Sequence, residues 1–323
     1  MNPLKQILKY VLSAGIAAAC VVFLAGKVEW KVFWEDLLET RWIYMILFAA
    51  VSVLAIIFRT IRWKMLLNTA DKDISALRIW DAINIGNVVN VILPGLGELV
   101  RCGIISKRRG KEKIGFNRVF YTIVAERAWD LVAIAALLIL ALICNIELFG
   151  GFLKEHARVS NGIILGAGLA LAILGLAISI IVLLKDKSEF FGKAYRALDG
   201  FVHGTISALN CPRKGEFALW TIAIWGSYIL LSFFAIKAVP ALESLGMEAA
   251  LFISTVGNIA AVIPVPSGVG PYHYLTTLVL GTIYGTSNEV GILCAVLQHE
   301  SHAIIVLALG LLSWISTLIQ DRK

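Results

Sequence analysis

Charged residues are scarce in this chain: Asp, Glu, Lys and Arg make up 16% of its 323 residues, whereas 59% are hydrophobic. A soluble globular domain has about 25% charged residues. Several uninterrupted apolar runs reach ~20 residues, the length that crosses ~30 Å of hydrocarbon. The composition therefore excludes an ordinary soluble domain and indicates an all-α polytopic membrane protein.

Cysteine is also sparse. The five cysteines are scattered, most of them in or beside apolar runs, at Cys20, Cys102, Cys144, Cys211 and Cys294. Disulfide frameworks and zinc sites use short, paired cysteine spacings, so we expect neither. The sequence also lacks a nucleophile elbow, a phosphate-binding glycine loop and a dinucleotide fingerprint. We therefore assign no catalytic residue and predict no cofactor.

Six apolar segments are long enough to span the membrane. They lie at about residues 7–26, 42–59, 119–144, 162–184, 217–238 and 290–319. A basic loop is expected after the second segment, beginning at Arg59 and including Arg62 and Lys64. We predict a single transmembrane domain over residues 1–323.

Two further apolar segments, at 79–106 and 249–284, carry breaks that a plain spanning helix would not tolerate. In the first, Asn87 and Asn90 precede Pro94-Gly95, and in the second Gly257-Asn258 precedes Pro266 and two glycines. In lipid every backbone polar group must be satisfied internally, so broken backbone persists only against protein or a water-filled cavity. Each segment is therefore predicted to be a re-entrant helical hairpin that turns at its break.

The two hairpins occupy corresponding positions in the halves 1–145 and 160–323. If the N-terminus is cytoplasmic and each hairpin returns to its own side, most of the 29 lysines and arginines lie in the cytoplasm, as membrane topology favours. The halves then form an inverted-topology repeat, whose substrate site is expected near the midplane. Both termini would face the cytoplasm at the inner membrane. The net charge of +7 thus reflects topology and contact with anionic lipid, not nucleic-acid binding.

Ionisable residues inside apolar segments are costly and usually face a cavity or a partner. With the polar residues of the hairpins, the substrate-binding candidates are Asn87, Asn90, Glu98, Arg101, Glu126, Arg127, Asp130, Asn258 and His273. Glu98 and Arg101 form either an interfacial ion pair or a phosphate grip. The 126–130 group is either a structural network or part of the binding site. His273 is either a helix cap or a group that contacts lipid or carries protons.

His299, Glu300 and His302 are candidates for gating or proton transfer in the last span. A zincin site needs histidines four residues apart with a glutamate directly after the first. Here the two histidines are three apart, so we predict no metal site from this motif.

Helix ends at the two breaks would expose free N–H groups and positive dipole ends, which favour anions. If both breaks face one central volume, an anionic lipid headgroup is the expected ligand. The predicted partner is thus a membrane lipid: an anionic or amino-modified phospholipid, or a polyprenyl-linked lipid.

These motifs resemble the lysylphosphatidylglycerol synthase transmembrane-region family, a flippase-like group of bacterial and archaeal membrane proteins. The matching motifs are Gly86-Asn87-x-x-Asn90-x-x-x-Pro94, Gly97-Glu98-x-x-Arg101, Glu126-Arg127-x-x-Asp130 and Pro266-Ser267-Gly268-Val269-Gly270. The resemblance covers about residues 10–315. It implies a transmembrane region that moves a modified phospholipid to the outer leaflet, as in members that carry a cytosolic aminoacyltransferase domain.

The sequence departs from the family pattern at three places. No aminoacyltransferase domain follows Lys323, so lipid aminoacylation is not expected. Gly95 and Leu96 stand where the family often has an arginine, and Ser267 and His273 replace a glycine and an acid after the second break. These changes indicate a different lipid substrate.

The leading hypothesis is a lipid translocase that passes a polar headgroup through a cavity between the hairpins. The alternatives are a membrane enzyme or accessory subunit that acts on a lipid-linked substrate, with His299, Glu300 and His302 as acid–base groups, and a scaffold for a separately encoded lipid-modifying enzyme.

Overall fold

The computed structural model describes residues 15, 18–69, 74–106, 114–146, 175–177, 179–195, 199, 213–260, 265 and 268–320. Its helices are α1 (Trp30–Leu38), α2 (Trp42–Leu67), α3 (Ala76–Ile92), α4 (Gly97–Ser106), α5 (Phe116–Cys144), α6 (Lys214–Ala238), α7 (Met247–Ala260), α8 (Pro271–Tyr284) and α9 (Asn288–Gln320). Within these ranges there is no β-strand. The all-α prediction is confirmed.

Four helices, α2, α5, α6 and α9, are long and apolar enough to cross a membrane. They contain the predicted spans at 42–59, 119–144, 217–238 and 290–319. Half of the predicted span at 7–26 and most of the one at 162–184 lie outside the described residues. Residues 18–25 of the first are helical, and the apolar helix Gly175–Leu184 covers the end of the second. The chain is thus an integral membrane protein.

The loop predicted after residue 59 is wrong, because α2 continues to Leu67. Arg59 and Arg62 lie inside this helix, and Arg62 is fully buried. Both arginines reach acidic side chains of α5, and this pairing offsets the cost of placing charge in a buried helix. A charged residue at the end of an apolar run therefore does not mark the end of the helix here.

The segment 79–106 is a pair of helices, α3 and α4, that pack against each other across a break at residues 93–96. Asn90 stabilises the break: its Oδ1 accepts hydrogen bonds from the backbone N–H of Gly95 at 3.1 Å and of Gly97 at 2.8 Å. Gly95 has φ +85°, which side-chain-bearing residues rarely adopt. The amide side chain thus satisfies N–H groups that the broken helix leaves free.

The segment 249–284 likewise forms two helices, α7 and α8, which contact each other. Pro271 occupies the first turn of α8, a position that needs no N–H donor. Helix α7 passes so close to α8 that a Cβ added to Gly257 would lie only 2.6 Å from the ring of Tyr272.

The centre of the fold is the packing of α2 against α6. Helices α3, α5 and α9 also contact α2, while α7 and α9 contact α6. One buried apolar cluster is formed mainly by the second half of α2 together with α3, α4 and α5. Another is formed mainly by α6, α7, α8 and α9. Helix α9 packs against both helix pairs, through α3 of the first and α8 of the second.

Candidate functional site

Two acids on α5 hold three arginines from neighbouring helices. Glu126 lies 2.8 Å from Arg59 Nε and 2.6 Å from Arg101 Nη2. Asp130, one helical turn further, lies 2.6 Å from Arg62 Nη2. The pairs connect α5 to both α2 and α4.

The centre of this network is shielded from solvent. Glu126 and Arg62 are fully buried, and Arg101 is 2% exposed. The guanidinium carbon of Arg101 also lies 4.0 Å from the ring centroid of Trp63, within cation–π range. Removing one partner of a buried pair costs about 3–5 kcal/mol, since it leaves an uncompensated charge. These contacts therefore fix how the helices pack.

Arg127 lies at the more open edge of the network, with 41% of its side chain exposed. Its Nη1 lies 3.3 Å from Asp130, and its Nε lies 3.8 Å from Glu98. Glu98 in turn accepts hydrogen bonds from Asn90 Nδ2 at 3.3 Å. The first break is thus connected through Glu98 to α5.

Counted over the residues that the structure describes, the network has one more positive than negative charge. Its members are Arg59, Arg62, Arg101, Arg127, Glu98, Glu126 and Asp130. An anion bound at the exposed edge would neutralise the excess.

A cavity of about 730 Å³ opens beside this edge, and both helix breaks contribute to its wall. Pro94 and Gly95 line it from the first break, and Val265 and Gly268 line it from the second. Its volume is in the range of ordinary ligand pockets. The structure therefore brings the two distant sequence motifs to one volume.

Most of the predicted polar residues line this cavity. They are Asn87, Asn90, Glu98, Arg127, Asp130, Asn258, His299 and His302. Four others are not in its wall: Arg101 and Glu126 lie in the buried network, and His273 and Glu300 bind each other beside the second break. The fold thus places eight of the twelve candidates in the cavity wall and the other four in two ion pairs.

Sequence reasoning missed several residues of the cavity wall. Arg59 was assigned to a loop, and Trp225 and Gln298 carried no motif. Trp225 Nε1 and Gln298 Oε1 are buried and have no hydrogen-bond partner in the described part of the chain. Buried polar atoms are normally paired, so these two mark unmade hydrogen bonds in residues that line the cavity.

A second polar cluster joins α8 to α9. His273 Nε2 lies 3.0 Å from Glu300 Oε2, and His299 Nδ1 lies 3.1 Å from Glu300 Oε1. His299 also lies against Tyr272, with ring centroids 5.1 Å apart. His302, one turn along α9, has a buried Nδ1 without a hydrogen-bond partner among the described residues.

Comparison of the sequence with known proteins identifies a family. The chain is 23% identical over 157 residues to the UPF0104 membrane protein PH1989 of Pyrococcus horikoshii, a match that covers 48% of this chain and 44% of that protein. The aligned region thus spans less than half the length of this relative. No solved structure is significantly similar to the chain. The family described as "Lysylphosphatidylglycerol synthase TM region" matches residues 6–310, which include every residue that lines the cavity, and the chain therefore belongs to this family.

Proposed function

We propose that the protein is a lipid translocase that moves a polar or anionic lipid between the leaflets of the cytoplasmic membrane. The headgroup crosses through the cavity while the acyl or prenyl tails stay in the bilayer. The observation that carries this proposal is that both helix breaks and the exposed arginine edge line one cavity.

The lengths of the paired helices support re-entrant hairpins. Within the described part of the chain, helices α3, α4, α7 and α8 have 17, 10, 14 and 14 residues. They are about 15–26 Å long at a rise of 1.5 Å per residue, which is shorter than the ~30 Å hydrocarbon core. In the proposed topology they enter from opposite faces, as the inverted repeat of 1–145 and 160–323 requires, and both termini are cytoplasmic.

The charge of the site favours a phosphate group. Among the described residues the arginine network carries one positive charge in excess, and Arg59 and Arg127 both line the cavity. Arginine binds phosphate oxygens through two parallel hydrogen bonds, and such charge-assisted bonds are the strong ones. Phospholipids and polyprenyl-linked lipids both offer this group.

Further polar residues line the same cavity. Asn87 of α3 and Asn258 near the end of α7 lie in its wall, together with Trp225 and Gln298. These groups can bind hydroxyl or amino substituents of a headgroup. The apolar part of the wall, including Phe48 and Leu131, suits the first carbons of the tails.

The test is leaflet exchange in proteoliposomes that contain headgroup-labelled lipids. Arg127→Gln removes the exposed guanidinium, and Arg118→Gln is the matched control, because it changes an exposed arginine on the same helix outside the cavity wall. A charged hydrogen bond contributes about 1.5–3 kcal/mol, so exchange at subsaturating lipid should fall about 10-fold or more in Arg127→Gln only. Equal exchange in liposomes with and without protein, across phosphate-bearing lipids, would remove the proposal.

The cluster around Glu300 supports a second candidate function. In this alternative the protein is an enzyme or accessory subunit that acts on a lipid-linked substrate. Imidazole and carboxylate groups at 3.0–3.1 Å are suited to proton transfer. This function predicts a lipid product of changed mass, which mass spectrometry of the proteoliposome lipids would detect and which translocation does not produce.

A further inference from the structure

The most distinctive group outside the arginine network is the trio His273, His299 and Glu300. Their nearest donor atoms, one from each side chain, all lie within 4.8 Å of one another. Among the residues that the structure describes, this is the group of His, Cys, Asp or Glu side chains whose geometry could hold a metal ion. The sequence motif considered earlier paired His299 with His302, whereas the fold pairs His299 with His273.

We propose that this trio binds one divalent transition-metal ion with the ligand preference of Zn²⁺. Two imidazole nitrogens and one carboxylate oxygen are a ligand set used by catalytic zinc sites, which keep a fourth position open. Hard cations such as Mg²⁺ and Ca²⁺ prefer six or more oxygen ligands, and this trio offers one carboxylate. The ligand types therefore favour a transition-metal ion over Mg²⁺ or Ca²⁺.

The three ligand atoms, which lie within 4.8 Å of one another, must move closer together to hold the ion. Zinc binds imidazole nitrogen at about 2.0–2.1 Å, so two ligand atoms of a tetrahedral site lie about 3.4 Å apart. The side chain of Glu300 is 41% exposed and has room to move, while the imidazole of His273 is held between helices with 8% exposure. A shift of the carboxylate and a rotation of His299 would close the site.

The charges around the trio are compatible with a bound cation. Within the described residues, no lysine or arginine lies within 4.0 Å of the Glu300 carboxylate, whose ionic contacts are His273 and His299. Neutral imidazoles are metal ligands, and the carboxylate supplies one negative charge. A divalent ion would pair with a carboxylate whose ionic partners, in the described ranges, are two imidazoles.

The position of the trio gives the ion a role at the cavity. His299 lines the cavity, and His273 lies in the first turn of α8, directly after the second break. A bound ion would therefore fasten the start of α8 to α9 and place an open coordination position at the cavity wall. A water molecule or an anionic oxygen would fill that position.

The experiment measures zinc binding by the full-length protein in detergent after removal of metals with a chelator. Zinc is titrated against a chromophoric competitor, and bound metal is counted by elemental analysis. The variants are His273→Gln and Glu300→Gln, with His302→Gln as the control, because His302 lies one turn from His299 on α9 but outside the trio. Size-exclusion chromatography of each variant checks its folding.

We expect one zinc ion per chain in the wild-type protein and in His302→Gln. The two ligand variants should bind zinc at least about 10-fold more weakly, since loss of even an outer-shell partner costs 10–100-fold. A stoichiometry far below one ion at saturating zinc, or equal affinity in all four proteins, would show that the trio is only a hydrogen-bonded cluster.

Cobalt substitution of the wild-type protein is a test that needs no variant. A site with three protein ligands and one open position gives the strong visible bands of four-coordinate cobalt, whereas their absence at one bound equivalent would overturn the assignment. Neither the zinc titration nor the cobalt spectrum depends on lipid transport. Failure of the metal site is therefore distinguishable from failure of the translocase proposal.

Discussion

Arg101 Nη2 lies 2.6 Å from Glu126 Oε2, and both side chains are buried. The contact joins α4, the helix that follows the first break, to the spanning helix α5. Trp63 of α2 covers the other face of the guanidinium. The position of the first break is thus set by an ion pair enclosed by three helices, and the strength of that pair can be measured.

We predict that Glu126→Gln destabilises the protein more than Arg101→Gln. Glu126 contacts Arg59, Arg62 and Arg101, so neutralising it leaves three guanidinium groups with less negative charge. Arg101→Gln still leaves Glu126 bonded to Arg59. The expected loss for Glu126→Gln is about 3–5 kcal/mol, visible as a lower midpoint of thermal unfolding in detergent. Equal midpoints for the two variants would contradict this order.

The close approach of α3 and α4 gives a second prediction. A Cβ on Gly97 would collide with the carbonyl oxygen of Gly86 and with the Asn90 side chain. Gly97→Ala should therefore displace the first break, with a loss of about 1–3 kcal/mol from overpacking, and should slow lipid exchange. Gly103→Ala is the matched control on the same helix, because a Cβ there meets nothing within 4 Å.

The control should be neutral or slightly stabilising, since alanine favours a helix interior by up to about 1 kcal/mol over glycine. The measurements are thermal unfolding and leaflet exchange for both variants. If Gly97→Ala behaved like Gly103→Ala in both, the two helices would not approach as closely as described.

Much of this arrangement could be predicted from sequence because the signals are local. Pro94-Gly95 and the glycines around residue 268 end helices through their own backbone preferences, and the helix pairs begin and end within a few residues of the predicted segments. Length and hydropathy likewise identified α2, α5, α6 and α9.

The remainder depends on contacts between distant residues. Nothing near Arg59 in sequence indicates that Glu126 and Asp130 will neutralise it, so the charge looked like the end of a span. The pairing of His273 with Glu300 likewise exists only because α8 packs on α9. The spacing of residues along a single sequence does not predict such contacts between distant helices.

The unpaired donor in the cavity wall gives a third prediction. Trp225→Phe removes the Nε1–H group, which has no hydrogen-bond partner among the described residues, while keeping an aromatic side chain. If that group binds the headgroup, affinity for the transported lipid should fall about 2- to 10-fold, the range of a net hydrogen bond of 0.5–1.5 kcal/mol. Trp220→Phe on the same helix is the control, since Trp220 packs on Phe58 outside the cavity wall. Lipid binding can be measured by titration in detergent, and equal affinities of the two variants would exclude Trp225 as a headgroup donor.

A surface ion pair supports a prediction about pH. Arg41 Nη2 lies 2.6 Å from Glu243 Oε2, between the start of α2 and the loop that follows α6. The hydrogen bond and positive charge of Arg41 lower the pKa of Glu243 from its usual value of 4.5. The contribution of this pair to stability is therefore present above about pH 4.5 and is lost as the pH falls through the lowered value.

Thermal unfolding of the wild type and Glu243→Gln, measured from pH 7 to pH 3, checks this dependence. The wild type should be slightly more stable at pH 7, and the difference should vanish at the acid end. Because both partners are exposed, the difference should be small and should shrink with added salt. A difference that grows on acidification would contradict the assignment.

The last prediction concerns membrane topology. Hairpins that enter from opposite faces require particular loops to lie on particular sides of the membrane. If both hairpins are re-entrant, the chain at Lys107 and at Lys185 faces the cytoplasm, whereas Lys27 and Lys237 face the other side. Single cysteines at these positions, in a background with the five native cysteines replaced, can be labelled in intact cells with a membrane-impermeant thiol reagent. The cysteines at 27 and 237 should react in intact cells, and those at 107 and 185 only after the membrane is opened. Should positions 107 and 185 react from different sides, one helix pair would cross the membrane completely, and α3–α4 and α7–α8 could not enter from opposite faces to enclose the headgroup.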